Sequence, residues 1–401
     1  MTRITDTAGT VPIEGWFGLE RENLRVQTDG RLAATPHPQA FGDKLTNPLI
    51  TTDFSESQIE LITPVAADIP SLVASLSRQL CTVYRGLGSE LLWPLSNLPD
   101  GVPDEHRIPI ADFGPNGIDK TNYRHYLARK YGARRQLYCG IHFNFSFRTE
   151  QLSKRLPEQA ARNAFYLQMA ATAMRARFFL VYLLAGSPGV EDGTPFRSLR
   201  LGKQGYRNLV PVYPDYSSVH TYSESLRSAI EGGVIEGPRE LYQLVRLKGS
   251  GFSELDGEPI AERIELRIPD LNPFEPLGIA VADLWLMHLY LLWAASARPQ
   301  PFDRQAQQEA AQLADEAALM QPSFEVERAM KDQFEQLERF VAEAALPEPY
   351  TLALSAAKTR WINDAHLGYA SRVAAALADR PRAAHSWAKQ MKTHFTANAV
   401  F

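Results

Sequence analysis

The sequence predicts an α+β protein in which helices cover one face of a curved, mainly antiparallel sheet and leave the other face as a polar funnel. Three observations support this prediction. Four segments alternate apolar and polar side chains with the period of a half-buried strand, and these are residues 18–26, 51–64, 136–147 and 262–270. Apolar residues recur at helical spacing between these segments. The stretch 303–396 is rich in alanine, glutamate and glutamine with the same spacing.

The first two predicted strands carry acidic residues. Glu20 and Glu22 share one face of the first strand, Glu60 lies on the second, and Asp53 precedes that second strand in an entering loop. Carboxylates on one face repel each other unless a cation lies between them, and an oxygen-only cluster suits a hard ion such as Mg²⁺. Taken alone, these two segments more often indicate solvated edges of an antiparallel sheet.

The third and fourth predicted strands favour a polar cavity over solvated sheet edges. The third strand sets isoleucine and phenylalanine on one face, opposite His142, Asn144 and Ser146. The fourth strand sets isoleucine and leucine opposite a charged face that includes Glu265 and Arg267. Four apolar faces must be buried, so the four polar faces are predicted to line a cavity. Carboxylates for Mg²⁺ beside arginines for phosphate are the groups that phosphoryl chemistry needs.

The remaining elements are predicted from helical spacing and from turn residues. Helices are predicted over residues 69–92, 123–131, 157–185 and 276–297, with roughly four amphipathic helices in 303–396 that pack on the back of the sheet or on a partner subunit. Long irregular stretches are predicted over 93–122 and over the basic segment 194–217. Because we see no linker, we expect one unit over 1–401, with a catalytic core over 15–300 and a helical portion over 301–401.

Composition excludes several classes of function. The chain has 401 residues, a formal charge of −4 and 45% hydrophobic residues, which gives no electrostatic case for nucleic acid or an anionic membrane. The run at 276–297 is apolar, but Asp283 and His288 interrupt it, so a buried helix is favoured over a membrane span. The first residues lack an apolar signal core, and two cysteines cannot form a disulfide framework. A cytoplasmic protein is expected.

An ordered set of motifs resembles a known family. The sequence Gly-Leu-Glu-Arg-Glu-Asn-Leu-Arg-Val at 18–26, followed by Thr-Pro-His-Pro at 35–38 and Thr-Thr-Asp-Phe-Ser-Glu-Ser-Gln-Ile-Glu-Leu-Ile-Thr-Pro at 51–64, resembles the bacterial glutamate–cysteine ligases. These include the standalone enzyme and the ligase half of bifunctional glutathione synthetase. Further matches follow in order, among them Gly-Ile-His-Phe-Asn-Phe-Ser at 140–146 and Glu-Leu-Arg-Ile-Pro-Asp-Leu-Asn-Pro-Phe at 265–274. The resemblance covers residues from about 15 to about 300.

The resemblance implies a sheet like that of glutamine synthetase and the first step of glutathione synthesis. In that reaction ATP phosphorylates the γ-carboxylate of L-glutamate, and the amine of L-cysteine displaces phosphate. The resemblance implies Mg²⁺ as cofactor, with Mn²⁺ as a possible substitute, and ATP as co-substrate. It implies metal ligands at Glu20, Glu22, Asp53, Glu60 and Glu265, with His142 as a further candidate on the same face. Catalytic roles are expected for Arg267, Arg200 and Glu265. Contacts with substrates are expected for Arg124, Tyr123, Phe54, Tyr206, Tyr242, Arg246, Arg267 and Asn144.

Three alternatives stay open. The segment Arg267-Ile-Pro-Asp270, and Asn97 where the family usually has methionine, depart from the family pattern near the acceptor. A specialised γ-glutamyl ligase with a non-cysteine acceptor is therefore the main alternative. A non-catalytic binding protein is a second, although repulsion between retained carboxylates argues against it. From the residues alone, a Mg²⁺-dependent phosphohydrolase is a third.

Overall fold

The computed structural model describes residues 13–203, 205–255, 257 and 259–397. The strands are β1 (Gly15–Val26), β2 (Ile50–Thr51), β3 (Gln58–Ile62), β4 (Leu91–Leu92), β5 (Ile141–Phe147), β6 (Gly189–Glu191), β7 (Thr194–Phe196), β8 (Val245–Lys248) and β9 (Arg263–Leu266). The helices up to α7 are α1 (Ile69–Gly86), α2 (Ile118–Tyr131), α3 (Thr149–Arg155), α4 (Gln159–Arg175), α5 (Phe178–Leu184), α6 (Val219–Glu231) and α7 (Val281–Ser296). The later helices are α8 (Arg304–Ala317), α9 (Phe324–Glu343), α10 (Glu348–Ile362), α11 (Asp364–Leu367), α12 (Tyr369–Asp379) and α13 (Ala383–Ala397).

The main sheet has the strand order β2-β3-β1-β5-β9-β8, and β4 pairs with the end of β1. All of these pairs are antiparallel, which confirms the predicted sheet type. The register sets polar side chains opposite one another: Glu22 with Glu60, Glu20 with His142, Asn144 with Glu265, and Glu265 with Arg246. Directly opposed residues point to the same side of a sheet, so these side chains gather on one face.

The other face of the sheet is buried under helices. Helices α1 and α7 contact β1 and β5, while α4 contacts β8 and β9. The ring of His288 on α7 lies 4.8 Å from that of Phe17 and 4.5 Å from that of Phe145. Phe143 and Phe145 are fully buried. Helix α7 confirms the predicted buried helix at 276–297, although it begins only at Val281.

The predicted helix 69–92 is too long at its end. It begins as expected, with the Asp68 side chain accepting a hydrogen bond from the backbone N–H of Ser71 at 2.7 Å, but it stops at Gly86. Gly88 then adopts a φ of +59°, which favours glycine and reverses the chain into β4. The last residues of the predicted helix are thus a short strand beside β1.

The predicted helix 157–185 is two helices, α4 and α5, separated at residues 176–177. At the break, Arg177 Nη1 donates to the carbonyl oxygen of Met174 at 2.5 Å, so a side chain satisfies the end of α4. No proline or glycine marks this position, which is why the sequence pattern gave one helix.

Three further boundaries differ from the predictions. Helix α2 begins at Ile118, not at 123, because Thr121 caps the preceding turn by accepting from Phe113 N at 3.0 Å. The segment 194–217 is not wholly irregular, since β7 pairs with β6 in a hairpin. Among the described residues, 303–396 contains six helices where roughly four were expected, because α11 and α12 are short and follow closely on α10.

The later helices complete the layer behind the sheet. Helices α8, α9 and α10 contact α4, α5 and α7, and α13 contacts α1 and β4. Phe395 of α13 stacks on Tyr84 of α1 at 5.2 Å, and Lys392 donates to the carbonyl oxygen of Glu90 at 2.8 Å. From this continuous packing we propose that the described residues form one structural unit. No helix in the described part of the chain is long and apolar enough to cross a membrane.

Candidate active site

The polar face of the sheet carries a carboxylate–imidazole cluster at its centre. His142 Nδ1 lies 3.0 Å from Glu20 Oε2 and 3.9 Å from Glu265 Oε1, and His142 Nε2 lies 3.7 Å from Glu22 Oε1. One potential ligand atom from each of Glu20, His142 and Glu265 falls within 4.8 Å of the others. Three strands that are distant in sequence, β1, β5 and β9, supply these groups because the register opposes them.

The partners of His142 define its tautomer. Arg267 Nε can only donate, and it lies 3.3 Å from His142 Nε2, so Nε2 is the accepting nitrogen. The proton is therefore on Nδ1, which donates to Glu20. Glu20 also accepts from Asn144 Nδ2 at 3.2 Å, so Asn144 orients a carboxylate of the cluster.

The carboxylates of this face differ in acidity. Burial raises the pKa of Glu60 well above its ordinary value, and the nearby charges of Asp53 and Glu22 raise it further. Burial likewise raises the pKa of Glu22. For Glu20, burial acts in the same direction, but the hydrogen bond from His142 and the nearby positive charge together outweigh it and the pKa is lowered. For Glu265, burial is outweighed by Arg267, Lys248 and Arg246, and the pKa is also lowered.

These donors fit a hard divalent cation. Glu265 Oε1 faces His142 at 3.9 Å, while the buried Oε2 lies near Lys248 and Arg246 and makes no hydrogen bond within the described residues, so this charged carboxylate retains free lone pairs. Glu22 and Glu60 are directly opposed on neighbouring strands, which is unfavourable for two ionised carboxylates without a cation. Oxygen ligands of this kind suit Mg²⁺ and Mn²⁺, whereas both ring nitrogens of His142 are already engaged by Glu20 and Arg267.

We expect Glu22 and Glu60 to destabilise the metal-free protein increasingly as the pH rises. The pKa values of Glu22 and Glu60 are higher in the folded protein than in the unfolded chain. Their contribution to the free energy of unfolding is therefore complete below pH 4.5 and is lost as the pH rises through their folded-state pKa values. The contribution of Glu20 and Glu265, whose pKa values are lowered, is already fully present above 4.5.

Without Mg²⁺, the melting temperature of the chain relative to that of Glu60→Gln should therefore fall between about pH 5 and pH 8. The opposite effect of His37 and His288, whose pKa values are lowered by burial, cancels in this comparison. Mg²⁺ should raise the melting temperature most at the higher pH. A rise in melting temperature on adding Mg²⁺ that does not depend on pH, or that depends on pH to the same extent in Glu60→Gln, would contradict the assignment of Glu60 to the metal site.

Cationic side chains face the carboxylates across the cavity. Lys248 Nζ lies 3.3 Å and Arg246 Nε 4.0 Å from Glu265 Oε2, and Arg246 also donates to the carbonyl oxygen of Pro238. The carboxylates around Arg267 raise the pKa of its guanidinium although burial opposes this. Lys248 was not predicted as a site residue, although its spacing of two from Arg246 places both on one strand face.

The site cavity measures about 280 Å³ and has an acidic side, a basic side and an aromatic end. At the aromatic end, the rings of Tyr206 and Tyr242 lie 4.2 Å apart, and the Arg239 guanidinium lies 3.5 Å from the ring centre of Tyr123. The Tyr242 hydroxyl is buried and makes no hydrogen bond to the described residues. Its pKa is raised, chiefly by burial, so it is a neutral donor available to a ligand. Arg239 and Lys120 also line the cavity and were missed by the sequence analysis, because each stands in a segment without strand periodicity.

Two predicted site residues lie at the acidic side near the aromatic end. Arg124 Nη2 lies 3.9 Å from Asp53 Oδ1, and its Nε donates to the Asp53 carbonyl oxygen. The Asp53 side chain is 41% exposed, the most accessible of the predicted metal ligands for which an ion pair is described. Arg124 also stacks over Phe113 at 4.4 Å, which fixes its orientation toward the cavity.

The structure does not bring two predicted residues into contact with the cavity as expected. Phe54 is 1% exposed and packs in the hydrophobic core, so it does not form the predicted wall of an acceptor pocket. Arg200 uses four of its five N–H donors within the protein, on the Asp270 carboxylate and on three backbone carbonyls at 267–269. Arg200 thus supports the segment that carries Arg267. It also lines a small pocket with His142 and Arg267, so its catalytic role stays a prediction.

A second, larger cavity of about 800 Å³ continues along the same polar face. Both cavities share Glu20, and the larger one is bounded by the opposite end of the strands at Trp16, Ser146 and Arg263. Asn144 lies on this side, between the two cavities. The polar face therefore has room for a large ligand whose charged end reaches the carboxylate cluster.

Comparison with known proteins agrees with this geometry. The family model for glutamate-cysteine ligase matches residues 6–194. The glutathione biosynthesis bifunctional protein of Listeria monocytogenes is 40% identical over 331 residues, which are 75% of this chain and 42% of that protein. The corresponding protein of Pasteurella multocida is 36% identical over 334 residues, 78% of this chain and 42% of that protein. The chain thus spans about two fifths of the length of these curated relatives.

Solved structures show the same fold. The crystal structure of a bifunctional glutathione synthetase from Pasteurella multocida superposes with a TM-score of 0.86 at 28% identity, over 96% of this chain and 53% of that chain. A glutamate–cysteine ligase from Francisella tularensis, solved in complex with AMP, gives 0.86 at 20% identity, over 96% of this chain and 90% of that chain, and is similar in fold. The predicted fold class is therefore confirmed. By its sequence matches and its fold, the chain belongs to the glutamate–cysteine ligase family.

Proposed function

We propose that the chain is an ATP- and Mg²⁺-dependent γ-glutamyl ligase that joins the side-chain carboxylate of L-glutamate to the amine of L-cysteine, the first step of glutathione synthesis. One observation carries this proposal: buried carboxylates and His142 face Arg267, Arg246 and Lys248 across a single cavity. Phosphoryl transfer to a carboxylate needs both signs of charge, cations for the phosphate and for the substrate carboxylate, and anions for the metal. The names of the curated relatives support glutathione biosynthesis as the pathway.

The metal would be held by Glu20, Glu22, Glu60 and Glu265, with Asp53 at the edge of the cluster. His142, predicted as a further ligand, would instead orient Glu20, because its two ring nitrogens are engaged by Glu20 and Arg267. When bound, Mg²⁺ supplies neutralisation of phosphate charge. The chain itself supplies the geometry, because paired strands hold the carboxylates on one face of the sheet. Mn²⁺ is a chemically reasonable substitute at a carboxylate site.

ATP would extend from the carboxylate cluster into the larger cavity. That cavity is flanked by Trp16 and Ile62, which offer flat apolar surface to a base, and by Arg263 and Ser146, which offer polar contacts. The phosphates would then lie at Glu20, where the two cavities meet. The AMP complex of the Francisella tularensis ligase supports a nucleotide site in this fold.

The glutamate substrate would lie between the carboxylate cluster and the basic side chains. Arg267 is held by His142 at 3.3 Å, so its guanidinium is oriented toward the centre of the cavity. There it would bind the γ-carboxylate and, as charge develops, the phosphoryl oxygens. Arg246 and Lys248 would neutralise the remaining negative charge, a role in which no covalent bond to the protein is formed.

The acceptor would bind at the aromatic end. The unpartnered hydroxyl of Tyr242 can donate to the acceptor carboxylate, and Arg124 lies on the adjoining wall. The tyrosine rings also exclude water from the reacting carbonyl, which protects an acyl phosphate against hydrolysis. We place the reaction in the cytoplasm, where ATP and reduced cysteine are both available and where Cys81 and Cys139 would stay unpaired, as they are here.

The proposal is tested by measuring ADP release with ATP, Mg²⁺ and glutamate against a panel of amino acids and small amines, with product mass determined in parallel. Selective stimulation by cysteine, with formation of γ-glutamylcysteine, is the expected result. Stimulation by another acceptor would retain the ligase chemistry and change the substrate. Phosphate release that needs no amine and yields no dipeptide would identify a phosphohydrolase. Absence of ADP release with every acceptor of the panel would refute catalysis.

We expect Tyr242→Phe to raise the apparent KM for the acceptor about tenfold while leaving the KM for ATP nearly unchanged. The reason is the loss of one hydrogen bond to a charged group, which contributes roughly 1.5–3 kcal/mol. Tyr350→Phe is a matched control, because it removes a buried tyrosine hydroxyl that pairs with His288 at 3.0 Å, and Tyr350 does not line the site cavity. A change confined to the KM for ATP would show that the acceptor does not bind at the aromatic end.

A further inference from the structure

A third cavity lies behind the aromatic end of the site and has a strongly basic lining. It measures about 450 Å³ and lies between the 200–213 segment, helix α8 and the junction of α4 with α5. Its charged lining residues comprise five basic side chains and one acidic one: Arg135, Arg177, Arg200, Lys203, Arg207 and Asp315. The Tyr206 and Tyr242 side chains form the wall that it shares with the active site.

Arg177 is the buried cation of this cavity. It is 6% exposed, it lies at the break between α4 and α5, and within the described residues it forms no ion pair with a carboxylate. Its guanidinium donates a hydrogen bond to the backbone carbonyl oxygen of Met174. Asp315, the acidic residue of the lining, is bound instead by both terminal nitrogens of Arg207, at 2.8 and 3.2 Å.

A buried guanidinium without a counter-ion is costly to the folded state. Burial lowers the pKa of Arg177 to about 10, so the group is still protonated near neutral pH. An anion in the cavity would supply the missing charge, and it would also meet Arg135 and Lys203, for which no ion pair is described. Arg200 adds little, because Asp270 already balances its charge.

The walls limit the kind of anion that fits. Tyr213, Phe302 and Val212 border the cavity and offer apolar surface close to the cationic side chains. Such a lining suits an oxyanion head on a small organic body, since guanidinium groups bind phosphate and carboxylate in a planar, bidentate manner. The volume is adequate for a small molecule and not for a folded partner.

We propose that this cavity is a second anion-binding site, specific for a small oxyanion of the phosphate or carboxylate class. The site is separate from the carboxylate cluster and does not depend on the ligase reaction. It adjoins the site at which the acceptor is proposed to bind through the tyrosine pair at 4.2 Å and a small pocket of about 20 Å³ beside that pair.

The test is a calorimetric titration of the full chain with inorganic phosphate and, separately, with succinate, in the absence of nucleotide and metal. The double variant Arg135→Gln/Lys203→Gln changes only residues at the rim of the basic cavity, and Lys248→Gln is its matched counterpart in the active site. We expect at least one probe to bind, with an affinity reduced on the order of tenfold in the double variant and unchanged in Lys248→Gln. The tighter of the two probes identifies the class of oxyanion.

Arg177→Gln should weaken the same binding by at least as much, and circular dichroism would establish that it is folded. If it does not fold, the double variant still decides the question. Binding that is lost in Lys248→Gln and kept in the double variant would place the anion in the active site and overturn the proposal. Absence of binding by both probes to the unmodified chain would overturn it as well.

Discussion

Replacement of Glu265 by glutamine should reduce ligase turnover by about 10³-fold or more while the protein stays folded. Glu265 is 2% exposed, stands opposite Asn144 on one neighbouring strand and Arg246 on the other, and carries the buried oxygen without a hydrogen bond. Glutamine preserves the shape but removes the negative charge toward which Lys248 and Arg246 point. The cluster would then lack a charged metal ligand, and the basic side chains would lose their counter-ion.

The measurement combines turnover with Mg²⁺ binding by calorimetry and with far-UV circular dichroism. The expected pattern is lost turnover, weakened Mg²⁺ binding and an unchanged spectrum. Glu231→Gln provides the matched control, because Glu231 is exposed at the end of α6 and distant from the cavity lining. Normal turnover in Glu265→Gln would disprove the metal assignment, and an altered spectrum would show that the carboxylate acts mainly in folding.

Replacement of Glu240 by alanine should destabilise the protein by about 3 kcal/mol, because it leaves a partly buried ammonium group and two hydroxyls without their acceptor. The Glu240 carboxylate is fully buried and accepts hydrogen bonds from Tyr126, Lys130 and Tyr131 of α2. It also accepts from the backbone N–H of Glu236 at 2.6 Å. The carboxylate thus ties α2 to the segment that leads into Tyr242.

The functional effect of Glu240→Ala should appear at the acceptor. Asn208 donates to the Glu240 carbonyl oxygen at 2.7 Å and accepts from the Tyr242 N–H at 3.0 Å, so the network fixes the backbone beneath the Tyr242 ring. In conditions where the variant is folded, the KM for the acceptor should rise several-fold more than that for ATP.

Chemical denaturation measures the loss in the free energy of unfolding caused by Glu240→Ala. A substitution in an exposed ion pair provides the control. Lys331 and Glu335 lie 4.0 Å apart with side chains 69% and 53% exposed, and Glu335→Ala should cost less than about 0.5 kcal/mol. A loss for Glu240→Ala no larger than this would mean that the network is not stabilising. A larger loss with equal changes in both KM values would restrict Glu240 to a general structural role.

The composition of the polar face could be predicted from the sequence because strand periodicity is local. A period of two assigns Glu20, Glu22, His142 and Glu265 to polar faces without knowledge of any neighbour. The distances among them depend on the register between β1, β5 and β9, which is set by packing of the apolar face under α7 and cannot be read from one strand. The resemblance to a family supplied that missing step.

The sequence could not show contacts whose partners are distant in sequence. Arg200 was expected to have a catalytic role, and its hydrogen bonds to the carbonyls at 267–269 had no local signal. Phe54 was expected to contact a substrate, although an aromatic side chain beside a strand is equally suited to the core, where Phe54 lies. The break in the helix at Arg177 has no local signal, because its cause is a side chain that turns toward a cavity formed by later helices.

The contact between α13 and the first part of the sheet has a consequence for synthesis of the protein. Lys392 and Glu90 are separated by 302 positions, yet they meet beside β4, where β1 ends. Closing so long a loop is entropically unfavourable until most of the intervening structure exists. The helical cover of β4 is therefore completed only after α13 has left the ribosome, and the acidic strands β1 and β3 are synthesised about 300 residues before it.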